Sequence, residues 1–174
     1  PETVAAIRDG KCPIYDAGLD EAFSQVILSV GTDYVAVLDT DITFLCVGTP
    51  NNEDGTCDLS QITAAIEVLG KTLRRKEGYH LVVIKSTVIP GTTVNTVIPL
   101  LEKYSGKSVG QQLGVCMSPE FLSEGNLLND FLHAEYIIIG ESDQQAGDRL
   151  AALSAAFASP IERVDLTTAE MIKY

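Results

Sequence analysis

Short apolar runs alternate with amphipathic stretches along the chain, and this pattern predicts an α/β protein. Continuous apolar runs rich in β-branched residues are typical of strands buried on both faces of a parallel sheet. Such runs occupy residues 41–47, 80–85, 113–116, 135–140 and 161–164, and residues 26–32 form a weaker candidate strand that Gly31 interrupts. Helical patterns occupy residues 1–9, 19–25, 58–76, 94–104, 142–158 and 167–174.

Three pairs of polar residues have the spacing of a capping box, in which two side chains close the first turn of a helix reciprocally. They are Asp58 with Gln61, Ser142 with Gln145, and Thr167 with Glu170. The regular alternation of strands and helices predicts right-handed crossovers in a doubly wound parallel sheet. The loops at 48–55, 86–93 and 117–125 would then share the sheet edge where open α/β sheets bind their ligands.

Composition and charge exclude several classes of function. The chain has 174 residues, of which 45% are apolar, and a net charge of −12. This charge argues against nucleic acid and membranes as partners, and no run approaches the roughly 18 apolar residues of a membrane span. The cysteines show no metal-binding or disulfide spacing; they are Cys12, Cys46, Cys57 and Cys116. We interpret them as reduced thiols of a cytoplasmic protein without a metal site, with Cys46 and Cys116 in the core.

Two carboxylates, Glu120 and Glu124, follow the predicted strand at 113–116. Pro119 ends strand pairing, and a helical turn after it would place both carboxylates on one face, with Cβ atoms about 5–6 Å apart. The alternative is a solvated turn with two surface acids. Lys173 would neutralise a developing oxyanion or pair with Glu120, although a lysine at such a position is more often solvated.

Small polar residues follow the two preceding strands. Gly48, Thr49 and Pro50 suit a nucleotide phosphate or ribose, because glycine permits a ligand to approach the backbone closely, but they suit an ordinary tight turn as well. Ser86 and Thr87 would hold a water or a substrate hydroxyl, or else cap a helix. No Gly-x-Gly-x-x-Gly motif is present, so spacing alone does not predict a dinucleotide site.

Five segments resemble the UDP-glucose/GDP-mannose dehydrogenase family in residues, order and spacing. They are Lys11-Cys-Pro-Ile-Tyr-Asp-Ala-Gly-Leu19, Phe44-Leu-Cys-Val-Gly-Thr-Pro50, Ser86-Thr-Val-Ile-Pro-Gly-Thr92, Ser118-Pro-Glu-Phe-Leu-Ser-Glu-Gly125 and Ala169-Glu-Met-Ile-Lys-Tyr174. Each segment alone is weakly specific. Five of them in order are highly specific, and the resemblance covers essentially the whole chain.

The resemblance implies an enzyme that oxidises the C6 hydroxyl of a nucleotide sugar to a carboxylate in two steps that reduce two NAD molecules. The residues expected to contact NAD are Val47, Gly48, Thr49, Pro50, Ser86, Thr87 and Glu124. Those expected to contact the substrate are Glu120, Phe121, Leu122, Glu124 and Lys173. The resemblance implies that Glu120 acts as an acid/base together with water when a thioester intermediate is hydrolysed. It also implies that Lys173 stabilises an oxyanion and that Thr87 has a further catalytic role.

The resemblance also implies that these residues are part of a longer protein. Residues 1–166 would form a partial, Rossmann-like NAD-binding domain that lacks its first βαβ segment, and residues 167–174 would begin a central helix that leads to a sugar-binding domain and helps to form a homodimer. The family's Gly-rich loop and acidic ribose-binding residue would precede residue 1, and its nucleophilic cysteine would follow residue 174. We therefore expect the 174-residue chain alone to be inactive.

UDP-glucose is the favoured substrate, with polysaccharide biosynthesis as the setting, and GDP-mannose is the first alternative. The segment Pro119-Glu-Phe-Leu122 resembles enzymes that act on these two sugars, whereas relatives that act on N-acetylhexosamines more often have Arg-Val after Pro-Glu. A truncated, non-catalytic nucleotide-binding module is the second alternative. A different NAD(P) dehydrogenase is the third, although that enzyme would have no use for Glu120 and Lys173 together.

Overall fold

The computed structural model describes residues 2–174, which divide into two compact units. The first unit contains residues 2–33 and 121–134, and the second contains residues 34–120 and 135–174. Among the residues described, no helix combines the length and the apolar character that crossing a bilayer requires.

Seven α-helices occur in the two units. In chain order they are α1 (Glu2–Arg8), α2 (Leu19–Ser24), α3 (Ser60–Leu73), α4 (Ile98–Ser105), α5 (Leu127–Leu132), α6 (Gln144–Ser154) and α7 (Leu166–Ile172). A π-helical segment at Thr93–Val97 leads directly into α4, and short 3-10 helices occupy Tyr34–Asp39 and Ala155–Phe157. The predicted helices are confirmed, apart from shifts at their ends; the part of the first prediction that falls on Pro1 lies outside the described residues.

The first unit contains helices α1, α2 and α5, and its described residues include no strand. The prediction of a strand at 26–32 is therefore wrong. A strand needs a neighbour to satisfy its backbone, and this unit offers none. The apolar side chains that suggested it, Val26, Ile27 and Leu28, are exposed.

The second unit is built on one sheet of five strands, in the order β1-β2-β3-β4-β5. The strands are β1 (Ile42–Leu45), β2 (His80–Ile84), β3 (Leu113–Met117), β4 (Ile137–Glu141) and β5 (Ile161–Asp165). Neighbouring strands are parallel between β1 and β2, between β2 and β3, and between β4 and β5. The sheet is thus the predicted α/β sheet for most of its width.

One strand pair departs from the wholly parallel prediction. β3 and β4 are antiparallel, with Cys116 opposite Glu141 and Met117 opposite Gly140. A parallel neighbour requires a crossover that returns the chain to the starting edge of the sheet, usually through a helix. Between β3 and β4 the only helix, α5, belongs to the first unit, so the second unit has no crossover helix there.

Helices cover the sheet on two sides, which buries β2 and β3 completely. On one face, Ile84, Val115 and Met117 pack with apolar residues of α3 and α4. On the other face, Val83 and Cys116 pack with residues of α6 and β4. The edge strand β1 differs, since Phe44 is 43% exposed and Cys46 beyond it is exposed. Burial of both faces of β1, and a core position for Cys46, were wrong predictions.

The helix caps differ in detail from the predicted capping boxes. Helix α6 is capped by Asp143, which accepts a hydrogen bond from the N–H of Ala146, and not by Ser142. Helix α7 is capped by Asp165, which accepts from the N–H of Thr168, and not by Thr167. In both cases the cap is the aspartate that directly precedes the first residue of the helix, as expected for an anion at the positive end of a helix dipole.

A buried histidine, His80, opens β2 and supports the interior of the sheet. Its Nδ1 lies 3.0 Å from the carbonyl oxygen of Thr40, and its Nε2 lies 2.8 Å from the hydroxyl of Thr43. A carbonyl oxygen can only accept, so Nδ1 carries the proton and Nε2 accepts from Thr43. Burial and, second, the nearby Lys76 lower the pKa of His80 to about 4.

Acidification should therefore destabilise this chain through His80. The unfolded histidine binds a proton near its ordinary pKa of 6.5, whereas the folded one does so only near 4. The contribution of neutral His80 to the free energy of unfolding is fully present above pH 6.5. It is lost as the pH falls towards 4, which lowers the free energy of unfolding by about 3 kcal/mol in total. Urea unfolding of the wild type and of His80→Leu between pH 7 and 4 measures this difference, with His133→Leu as the control. Parallel pH profiles for wild type and His80→Leu would refute it.

Candidate active site

Two of the strand ends at the carboxyl edge of the sheet are joined by hydrogen bonds. The hydroxyl of Thr49, after β1, donates to the carbonyl oxygen of Thr87, after β2, at 2.5 Å. The hydroxyl of Ser86 donates to the carbonyl oxygen of Val47 at 2.7 Å. Since β1 and β2 are parallel neighbours, their ends meet as the sequence predicted.

The third strand end carries an ion pair between Lys173 and Glu120, which was one of the two functions considered for Lys173 from the sequence. The ammonium Nζ of Lys173 lies 3.0 Å from Oε1 of Glu120 and also donates to the backbone carbonyl oxygen of Glu120 at 2.5 Å. The side chains are 22% and 34% exposed, respectively. The pair is thus partly shielded from water, which strengthens its electrostatic interaction relative to a fully exposed pair.

Helix α7 brings Lys173 to this edge. It begins directly after β5, and Lys173 follows Ile172. The helix lies very close to β4: a Cβ atom on Gly140 would be 2.5 Å from the Cβ of Ala169. Glycine at this position permits the close packing that fixes the path of α7.

The turn after β1 leaves backbone donors available. Gly48 and Pro50 are exposed, and Val47 and Thr49 are half-buried. Within the described chain, the N–H groups of Gly48 and Thr49 donate no hydrogen bond to another residue. By contrast, the hydroxyl protons of Thr49 and Ser86 are already used within the protein. A ligand at this turn would therefore find backbone N–H groups as hydrogen-bond donors and hydroxyl oxygens as acceptors.

The acidic segment does not form the predicted helical turn. Residues 118–123 adopt no helical structure, and a hydrogen-bonded turn appears only at 124–125. The premise that places Glu120 and Glu124 on one helix face is wrong, because Pro119 and the residues after it continue in irregular conformation. Phe121, Leu122 and Glu124 belong to the first unit, in which all three are exposed.

Sequence reasoning missed two residues near this edge. Lys85, at the end of β2, is half-buried, and burial lowers its pKa, while Cys46 and then Glu120 raise it and Lys173 lowers it. A lysine that directly follows an apolar strand and precedes Ser86 was a usable signal. Glu170 was assigned to a capping box, yet it is fully buried and accepts hydrogen bonds from the N–H groups of Gly91 and Thr93.

Comparison with known sequences gives consistent matches. Residues 1–158 match the sequence model of the UDP-glucose/GDP-mannose dehydrogenase family, NAD binding domain. The chain is 42% identical over 181 residues to the UDP-glucose 6-dehydrogenase AglM of Haloferax volcanii, an alignment that covers 99% of this chain and 42% of the relative. It is 43% identical over 173 residues to the GDP-mannose 6-dehydrogenase of Pseudomonas aeruginosa, covering 97% and 40%.

Solved structures agree with these matches. A ternary complex of GDP-mannose dehydrogenase from Pseudomonas aeruginosa superposes with a TM-score of 0.95 at 42% identity, covering 99% of this chain and 41% of that one. A UDP-glucose dehydrogenase from the hyperthermophilic archaeon Pyrobaculum islandicum gives a TM-score of 0.92 at 38% identity, covering 100% and 41%. The α/β fold class and NAD as the cofactor are confirmed. The chain spans about two fifths of the length of these relatives.

Proposed function

Because the chain belongs to the UDP-glucose/GDP-mannose dehydrogenase family, we propose that the full-length protein oxidises the C6 hydroxyl of a nucleotide sugar to a carboxylate. UDP-glucose is the favoured substrate and GDP-mannose the alternative. Per sugar, the reaction consumes two NAD⁺ and one water and releases two NADH and three protons. The observation that carries the proposal is the ion pair between Lys173 and Glu120, at 3.0 Å, on the ligand-binding edge of the sheet.

The turn after β1 fits part of an NAD site. The N–H groups of Gly48 and Thr49 are available to a phosphate or a ribose hydroxyl, and the exposed Gly48 presents no side chain to the ligand. Val47 and Pro50 would flank the cofactor, and Ser86 and Thr87 would line the adjoining strand end. Glu124 would also contact the cofactor. When bound, NAD would supply the hydride acceptor for the oxidation at C6 of the sugar.

Glu120 and Lys173 would divide the work on the reacting carbonyl. The ammonium of Lys173 would donate hydrogen bonds to the oxygen on which negative charge develops, a stabilisation that is strongest in a site shielded from water. The carboxylate of Glu120 would take a proton from the water that attacks the acyl carbon of a thioester intermediate. Thr87 would contribute a further polar contact, and Phe121 and Leu122 would border the sugar.

The domain arrangement of the full-length protein follows the family. Residues 1–166 would form part of the NAD-binding domain, and residues 167–174 would begin a central helix leading to a sugar-binding domain and a homodimer interface. If α7 is the start of this central helix, the same helix also carries Lys173 to the candidate active site. This double use supports the proposed domain arrangement. A role in the cytoplasm, in polysaccharide biosynthesis, is consistent with this function.

The stoichiometry of NADH tests the function directly. The purified full-length protein is offered UDP-glucose and GDP-mannose in separate assays, and NADH is counted against the sugar consumed. We expect two NADH per sugar from one of the two substrates, because the oxidation removes four electrons. One NADH per sugar would instead indicate a simple alcohol dehydrogenase and would remove the role assigned to Glu120. No NADH with either would favour a nucleotide-binding module.

A further inference from the structure

Glu170 is a carboxylate that the proposed chemistry does not use, although it is fully buried on α7. Oε2 accepts the N–H of Gly91 at 2.5 Å, and Oε1 accepts the N–H of Thr93 at 2.7 Å. Burying a carboxylate is costly unless hydrogen bonds replace its lost water. An apolar side chain would fill the space without that cost, so the carboxylate has a specific task of holding these two N–H groups.

The segment that Glu170 holds is shaped to meet it. Thr93 is the first residue of the π-helical segment that leads into α4, so its N–H lies at the positive end of a helix dipole. Gly91 has φ of +91°, a conformation that favours glycine, and a Cβ there would lie 2.9 Å from Nδ2 of Asn95. Both N–H groups therefore point to one anion, and charge-assisted hydrogen bonds of this kind are strong.

Glu170 thereby joins two parts of the candidate active site. Residues 91–93 end the loop that begins with Ser86 and Thr87 and is bonded to the turn after β1. On the other side, Lys173 lies three residues beyond Glu170, close to one helical turn, and reaches Glu120. The contacts are therefore continuous from the turn after β1 to the Lys173–Glu120 pair. Glu170 provides the hydrogen bonds that connect the loop to α7.

We propose that Glu170 is a positioning residue that fixes α7 against the loop at 86–93 and so holds Lys173 at Glu120. The inference rests on the proposed function for its effect on turnover, but its structural part can be tested without turnover. Glu170→Gln is the informative change. The amide keeps one acceptor for Thr93 but turns an NH₂ group towards the N–H of Gly91, so that two donors face each other.

The first measurement is the rate at which an amine-modifying reagent labels Lys173 in the folded, full-length protein, followed by mass spectrometry. In the wild type, Lys173 is 22% exposed and engaged with Glu120, whereas Lys11 is exposed and serves as the internal reference. We expect severalfold faster labelling of Lys173 in Glu170→Gln, with no change at Lys11. An unchanged rate at Lys173 would overturn the proposal, whatever the protein catalyses.

The second measurement is a double-mutant cycle on kcat with Lys173→Met. A catalytic group displaced by about 1 Å costs on the order of 10²-fold in rate, so Glu170→Gln should lower kcat by about that factor with little change in KM. If Glu170 acts through Lys173, the same change should cost almost nothing in the Lys173→Met background. An equal loss in both backgrounds would show a general folding role and overturn the proposal.

Two further variants keep the outcome interpretable. Glu170→Asp retains the charge with a shorter reach, and it carries the test if Glu170→Gln does not fold. Asp16→Asn provides a matched chemical change, because Asp16 is also a buried carboxylate that accepts two backbone N–H groups, those of Leu127 and Leu128. It should not change the labelling of Lys173. If the wild type forms no NADH, the proposed function fails, while the labelling rates still decide the role of Glu170.

Discussion

Lys173→Met should lower kcat of the full-length protein by about 10²–10³-fold, the usual cost of losing one preorganised donor to a developing oxyanion. The ammonium of Lys173 is held at the strand ends by the carbonyl oxygen and the carboxylate of Glu120. Methionine preserves much of the length and packing of the side chain but removes its charge and its donors. Steady-state NADH formation at saturating sugar and NAD measures the effect.

The matched control for this prediction is Lys103→Met. Lys103 is an exposed residue of α4 that lies 5.2 Å from the centroid of the Tyr104 ring. A surface substitution of this kind should leave kcat unchanged and alter stability by less than about 0.5 kcal/mol. If both variants retain the wild-type kcat, Lys173 has no part in transition-state stabilisation, and the pair with Glu120 is structural.

The sheet could be predicted from the sequence because strands that are buried on both faces consist mainly of apolar residues. Strands β2 and β3 are covered on both faces, so every position tolerates an apolar residue and the run is continuous. The edge strand β1 carries the same kind of run, yet Phe44 is 43% exposed. Position within a sheet depends on which strands pair, and a single apolar run contains no information about its neighbours.

The helix starts show a different limit. The pair Ser142 and Gln145 fits a capping box, but the neighbouring Asp143 is the cap, and Ser142 instead donates to it at 2.8 Å. When two good capping residues are adjacent, the exact end of the preceding strand decides between them. β4 ends at Glu141, a boundary that local sequence does not define to a single residue.

The site was predictable only in its parts. Glu120 and Lys173 were both candidates, but 53 positions separate them, and their 3.0 Å contact depends on the path of α7 against β4. The antiparallel junction of β3 and β4, which the alternating pattern did not predict, is part of that path. Glu170 was misassigned because a glutamate three residues after a threonine satisfies the capping pattern whether its side chain turns back or inward.

Glu120→Gln should block a later step than Lys173→Met does. Glutamine keeps an oxygen that can accept from Lys173, so the ammonium stays in place, but it cannot take a proton from water. Loss of a positioned general base costs about 10²–10⁴-fold. The hydride transfers that precede hydrolysis do not need this base. We therefore expect a burst of two NADH per active site, followed by very slow steady-state turnover.

Stopped-flow absorbance at the NADH band resolves the burst from the steady state. Glu67→Gln is the matched control, since Glu67 pairs with Lys71 at 2.5 Å on α3 and its loss should leave turnover intact. A large fall in kcat without a burst would place Glu120 before hydride transfer and contradict its assignment to hydrolysis. A burst in Glu120→Gln but not in Lys173→Met would separate the two roles. The lysine is needed throughout, because each step that alters the charge on the reacting oxygen depends on its ammonium. The carboxylate is needed only when water attacks.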